Sequence, residues 1–238
     1  MEDVVTAVTR TLHSSGACVL SAGDLSAHLG AGPPQWRRFA RHWDDLAVDT
    51  YAARLGTCRM RRYGQFSYDA SGATTTPMAH EHFVQPEDSN PLYIDMPRHF
   101  EPLTTAFAQD PVLAGLLSLL GRVAVALADS PRWHVKVTPF RVLAAAGGEG
   151  EPTPEGVHRD GVTLVTSLLV GRHNAAGGQS SVYTLDGTRF LTTTLATPGT
   201  MLLGDDRRTL HGVSPIRPLD PARPAWRDVL VITYAAPR

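Results

Sequence analysis

Apolar positions at Val4, Val5, Val8 and Leu12 recur at helical spacing and predict a helix over Asp3–Leu12. Gly16–Leu20 then reads as a short buried strand. A second helix opens at Pro33-Pro34, because proline is tolerated in a first helical turn. It presents Trp36, Phe39, Ala40, Trp43 and Leu46 to a core and turns Arg37, Arg38 and Arg41 toward solvent. Cys58–Tyr68 alternates like a strand, with Met60, Arg62, Gly64, Phe66 and Tyr68 on one side. Thr74–Asn90, rich in Thr, Pro, His and Asp, reads as a loop. Leu103–Ala128 is helical with a break at Asp110-Pro111, where proline lacks the N–H that a helix interior needs.

The period then changes from helical to two. Trp133, Val135 and Val137 alternate with His134, Lys136 and Thr138. Ala144–Pro154 is a Gly- and Pro-rich loop. Short β-branched segments follow at Gly161–Gly171, Ser180–Leu185, Arg189–Leu195, Thr200–Leu203 and Asp228–Tyr234, parted by turn residues. Leu185-Asp-Gly-Thr188 marks a hairpin. Many short, closely spaced strands indicate a sandwich or barrel of the jelly-roll kind. The expected fold is therefore α+β and β-rich: a jelly-roll core flanked by N-terminal and central helices. With no repeat or linker, residues 1–238 read as one domain, 1–130 mainly helical support and lid, 131–238 the β core.

Composition narrows the function. The 238 residues are 42% hydrophobic and 19% charged, which excludes a disordered chain, and a net charge of −1 gives no bulk attraction for nucleic acid or an anionic membrane. Two cysteines, Cys18 and Cys58, exclude a disulfide scaffold. No apolar leader opens the chain, so a cytoplasmic location is expected. The most apolar run, Val112–Ala128, is too short for a bilayer and is interrupted by Gly115, Ser118, Gly121 and Arg122. Neither a phosphate-binding Gly-x-x-x-x-Gly-Lys loop nor a Gly-x-Ser-x-Gly elbow occurs.

The sharpest chemical feature is Val157-His158-Arg159-Asp160-Gly161. On an extended segment His158 and Asp160 face the same way. A third ligand is offered by His211, 53 residues further on. Two histidines and a carboxylate on one side of a metal leave positions open for a bidentate 2-oxo acid and O₂, the arrangement of non-haem Fe(II) oxygenases. Arg227, opening the strand Arg227–Tyr234, suits the far carboxylate of a 2-oxo diacid. Other candidates carry blander readings. His173 fits a surface turn beside Asn174 and Gly177-Gly178. His80 and His82 sit in a loop expected to cover the active site, and Arg141 serves either substrate or a structural carboxylate. Asp205-Asp206-Arg207-Arg208 is either an ion-pair cluster orienting the His211 strand or a solvated turn.

Pro154–Gly161, Arg172–Ser180, Leu195–Gly199, Asp205–Arg208, His211–Pro215 and Arg227–Val231, with Asn90–Leu92 and Phe100–Leu103 upstream, carry a family resemblance. Over roughly residues 60–238 the chain resembles the bacterial 2-oxoglutarate/Fe(II) dioxygenases that hydroxylate free amino acids, isoleucine dioxygenase among them. The resemblance implies a double-stranded β-helix, Fe(II) on His158, Asp160 and His211, and 2-oxoglutarate chelating the metal. The far carboxylate of 2-oxoglutarate would meet Arg227, with Arg217 and Arg223 as alternatives. It further implies hydroxylation of a small substrate, an L-amino acid or a derivative, with O₂ consumed and succinate and CO₂ released. No nucleic-acid or membrane partner is implied, and a homodimer is left open. Two positions depart from the pattern: Val229 replaces a hydroxyl two residues after the arginine, and Thr200 replaces an acid after Pro-Gly. The rival readings on the same barrel are a zinc-dependent hydrolase or isomerase and a non-catalytic binding module.

Overall fold

A computed structural model describes residues 3–54, 56–83 and 98–237. Its N-terminal part holds α1 (Val4–Ser15), β1 (Ala17–Leu20), α2 (Ala22–Leu29), α3 (Pro33–Ala40), β2 (Ala47–Val48) and α4 (Thr50–Ala53). The middle holds β3 (Arg59–Arg61), β4 (Gly64–Asp69), β5 (Thr74–Pro77), α5 (Thr105–Ala108) and α6 (Pro111–Leu127). The remainder is all β: β6 (Arg132–Ala144), β7 (Leu164–His173), β8 (Ala175–Gly177), β9 (Gln179–Thr184), β10 (Arg189–Thr194), β11 (Met201–Asp205), β12 (Thr209–Val213), β13 (Ile216–Pro218) and β14 (Ala225–Ala235).

Among the described residues the major sheet runs β1-β11-β7-β14-β6-β3-β2, with β4 also on β6 and β5 on β4. Every pairing in it is antiparallel. A smaller sheet, β10-β9-β12, and the pair β13-β8 complete the jelly roll. Alternation gives the two faces of the major sheet different tasks. Trp133, Val135, Val137, Leu230, Ile232 and Tyr234 point to the helical side, where they join Leu113, Leu116, Leu117 and Leu120 of α6 in the main core. Buried Tyr234 donates its hydroxyl hydrogen to the Leu117 carbonyl at 2.6 Å, and Tyr68 packs where a Cβ on Gly121 would stand 2.3 Å from its ring. The opposite face meets the small sheet through Leu169, Val182, Leu195, Leu202 and Val229.

Local chemistry explains most boundaries. Asp110 accepts the Val112 N–H and caps α6, with Pro111 in the first turn, so the expected break stands. The Asp-Gly turn joins β9 to β10 as an antiparallel hairpin. Three expectations change. The helix opened by Pro33-Pro34 gives way at Arg41–Asp45 to a 3₁₀ turn, although Trp43 and Leu46 are still buried. The strand expected over Cys58–Tyr68 is two strands, because Tyr63 leaves the β6 ladder to pair with Glu101 and Leu103, and Arg62 binds the Asp45 and Pro102 carbonyls. The loop expected over Thr74–Asn90 begins as strand β5, whose β-branched threonines pair with β4; positions 84–90 lie outside the described residues. No described helix is long and apolar enough to cross a membrane.

Candidate metal and 2-oxo acid site

The segment before β7 folds back against β12. His158 N–H donates to the His211 carbonyl at 2.9 Å, and His211 N–H returns a bond to the His158 carbonyl at 2.8 Å. This bridge sets two side chains 53 residues apart in sequence next to each other, their ring centres 4.5 Å apart. Gly212 keeps the approach close, since a Cβ there would lie 3.3 Å from Val157. Asp160 joins them: its Oδ2 is 3.4 Å from His211 Nε2. One ligand atom from each of His158, Asp160 and His211 falls within 4.8 Å of the others, and they form the one such group among the described residues.

Surrounding groups orient these ligands. His158 donates Nδ1–H to the Gly156 carbonyl at 3.0 Å, which leaves its Nε2 lone pair for a metal. That Nε2 stands 3.5 Å from Glu155. Burial lowers the His211 imidazole, only partly opposed by Asp160, and so favours the neutral ring that a metal requires. Asp206, 1% exposed, accepts the Asp160 and Val162 N–H groups at 3.1 and 3.0 Å. Its Oδ1 is 3.8 Å from His211 Nδ1. Burial, reinforced by the Asp160 charge, raises its carboxyl to about 6. Both acids of Asp205-Asp206 are buried, so this is an orienting cluster rather than a solvated turn: Asp205 pairs with Arg207 at 2.8 Å and Asp206 binds the ligand loop.

A cavity of about 140 Å³ lies between the sheets at this point, walled by Val142, Val165, Val182, Leu202, Val229 and Val231 and reached by His158, Asp160, His211 and Arg227. Arg227 is 1% exposed, and its Nε and Nη2 have no hydrogen-bond partner among the described residues. Burial, aided by Arg172, lowers its guanidinium to about 10, so it is still a cation at neutral pH. Arg172 itself is committed to the Leu195, Ala175 and Gly177 carbonyls. Gly177-Gly178 now has a physical reason: both have positive φ, and Cβ atoms there would come within 2.3 Å of the Pro215 oxygen and 3.1 Å of Arg227. Ser180, on the Val182 side of β9, has a buried hydroxyl without a partner.

The remaining candidates separate from this centre. Arg217 pairs with Glu149 and Arg223 with Asp220, both largely exposed. Arg141 is structural, forked onto Asp228 by two bonds of 2.8 Å. His173 ends β7 and stacks on Trp226. His80 hydrogen-bonds the Phe100 carbonyl and His82 packs on His99, and neither lines the cavity. The pattern reading passed over Asp206's hold on the Asp160 loop and the inward-facing arginines of β3, for which Arg59-x-Arg61 was the available signal.

The donor set and the cavity fit a metal with a dianionic co-substrate. Two imidazoles and a carboxylate converge on one centre, and a buried cation lacks the anion that would offset its desolvation. A jelly roll holding such a set defines a mononuclear iron oxygenase. The family described as 2OG-Fe dioxygenase matches residues 40–233, and the chain belongs to it. That family uses Fe(II) and 2-oxoglutarate. Among solved structures, a bsmA homologue from Methylobium petroleophilum PM1 is 34% identical with a TM-score of 0.90, over 99% of this chain and 94% of its own. IDO from Bacillus thuringiensis is 15% identical with a TM-score of 0.81, over 100% of this chain and 98% of its own. The Fe(II)/α-ketoglutarate-dependent dioxygenase TqaL is 17% identical with a TM-score of 0.77, over 98% and 87% respectively. The latter two likenesses speak for the fold alone. No curated protein matches in sequence.

Proposed function

We propose that this oxygenase hydroxylates a C–H bond of a free L-amino acid or an amino-acid-derived metabolite, with iron held by His158, Asp160 and His211 and the far carboxylate of 2-oxoglutarate held by Arg227. The observation that carries the reading is the convergence of the three ligand atoms within 4.8 Å in a cavity that also receives a buried arginine. Iron and 2-oxoglutarate, when bound, supply the oxidation: substrate, O₂ and 2-oxoglutarate become hydroxylated substrate, succinate and CO₂. The chain's own share is placement and exclusion. The His158–His211 backbone bridge fixes two ligands relative to each other, and Asp206 fixes the loop that carries the third. Arg227 offers Nε and Nη2 to an anion without first breaking a protein bond. The valine and leucine walls keep bulk water from the reacting carbon. The amino-acid substrate class rests on the sequence resemblance.

The test is a screen of the proteinogenic L-amino acids and common non-standard ones for succinate release with a product one oxygen heavier. Fe(II) and 2-oxoglutarate are expected to be obligatory, and His158→Ala to abolish turnover. Full turnover in a chelator-treated sample would refute the reading.

A further inference from the structure

The turn that leads into His158 carries a further acid to the cavity. Thr153 is pinned to β12 in both directions: its hydroxyl donates to the Val213 carbonyl at 3.0 Å and accepts the Val213 N–H at 3.0 Å. The chain then reverses. Gly156, in the left-handed region that favours glycine, donates its N–H to the Thr153 carbonyl at 2.9 Å. The Gly156 carbonyl in turn takes the His158 Nδ1–H at 3.0 Å. Glu155 is thus held between an anchored threonine and an anchored histidine, and the bonds that place His158 also place Glu155.

Pro152, Thr153 and Glu155 all line the cavity that holds the ligand trio. The Glu155 side chain is 15% exposed, and its Oε1 stands 3.5 Å from His158 Nε2, the nitrogen left for the metal. Its charge acts on the His211 ring as well. Glu155 lies outside the group whose ligand atoms fall within 4.8 Å of one another, so it borders the metal position without joining the ligand set. The other charged side chains lining the cavity have tasks of their own. Asp160 belongs to the trio, Arg227 faces the co-substrate, and Arg59 is forked onto buried Asp49 through Nε and Nη2 at 3.0 and 2.8 Å. Among the described residues, Glu155 is the lining acid that a substrate can meet outside the trio. The wall around it is largely valine, leucine and phenylalanine, and in such a water-poor setting a carboxylate bonds most strongly to a charged donor.

We propose that Glu155 accepts the α-ammonium of the substrate and makes the enzyme prefer an amino acid to the same acid without its amino group. This rests on the reading of the site as an amino-acid oxygenase and adds the residue that recognises the amino group. Glu155 acts on specificity: it anchors the amino end beside His158, and the apolar wall of Phe140, Val165, Val182 and Val229 is left for the rest of the substrate. Arg227 and Glu155 then sort the two small molecules by charge, the dianion to one and the ammonium to the other.

Uptake of 2-oxoglutarate by the Mn(II)-loaded protein under argon is measured first and reports on the oxygenase reading alone. The twenty proteinogenic L-amino acids are then titrated calorimetrically into that complex with Mn(II) and 2-oxoglutarate saturating, or into the Mn(II)-loaded protein if 2-oxoglutarate does not bind. The tightest is compared with the carboxylic acid of the same skeleton that lacks the amino group. The wild type should prefer the amino acid by about thirtyfold or more, the effect of one charge-assisted bond. Glu155→Gln keeps the shape and removes the charge. It should bring the preference below about threefold and leave the affinity for the deaminated acid within about threefold. A role in the fold alone would weaken both compounds alike, and a role toward the metal alone would weaken Mn(II) binding with the preference unchanged; either result overturns the proposal. Equal binding of the two compounds by the wild type overturns it and leaves the amino-acid reading standing, whereas failure of every amino acid to bind removes both. Circular dichroism identifies folded variants; if Glu155→Gln does not fold, Glu155→Ala decides by the same preference.

Discussion

Arg227→Met separates the energetics of the empty protein from those of the loaded one. A folded-state value of about 10, below the ordinary guanidinium range, means that folding disfavours the charged form. At about 1.4 kcal/mol per pH unit the burden is on the order of 3 kcal/mol. The sign follows from linkage: the burden is present in full at neutral pH and lifts only as pH rises through the folded value toward the unfolded one. Methionine removes the charge, keeps much of the stem, and forfeits about 1–2 kcal/mol of packing. Without ligand, Arg227→Met should therefore be as stable as the parent or up to ~2 kcal/mol more so, which at roughly 2–4 °C per kcal/mol is a rise in Tm of several degrees at most. With metal saturating throughout, 2-oxoglutarate at a hundred times Kd should add about 2.7 kcal/mol to the parent and nothing to the variant. Urea and thermal unfolding with and without 2-oxoglutarate measure both arms. A ligand-free variant destabilised by more than about 2 kcal/mol, or one that still gains from 2-oxoglutarate, would refute the view that Arg227 is a buried cation awaiting an anion.

Asp206→Asn keeps one acceptor for the Asp160 loop but loses the charge facing His211; metal affinity, read by Co(II) titration, should fall about 10- to 100-fold with the fold intact. Gly121→Ala forces a methyl into the Tyr68 ring and should destabilise by roughly 1–3 kcal/mol in urea unfolding, without changing the metal titration. Tyr234→Phe removes the hydroxyl bond to Leu117 and should cost about 1 kcal/mol, a drop in Tm of roughly 2–4 °C.

Much of the β core was legible because its signals are local. Alternation in Trp133–Thr138 gives the two faces of β6, and Asp-Gly gives the β9–β10 hairpin. Where the backbone is extended, His158-x-Asp160 presents two side chains on one side. The failures were at places where distant segments intrude. Tyr63 abandons its strand for residues 101 and 103, and the threonines of β5 become a strand because β4 offers an edge. Nothing in the sequence sets cavity-lining Arg59 or buried Arg61 apart, since alternation marks two faces but not which of them is enclosed.

The sequence by itself therefore determined the class of fold, through residue type and short-range period, and put forward the candidate trio and the strand arginine, through residue type and the family resemblance. Only the tertiary structure decided that His211 lies against His158, that Arg227 rather than Arg217 or Arg223 is buried, and that Asp206 holds the ligand loop. Those outcomes depend on antiparallel register between strands far apart in the chain and on which charges folding removes from water. Burial and register are properties of the assembled sheets, and no local pattern encodes them.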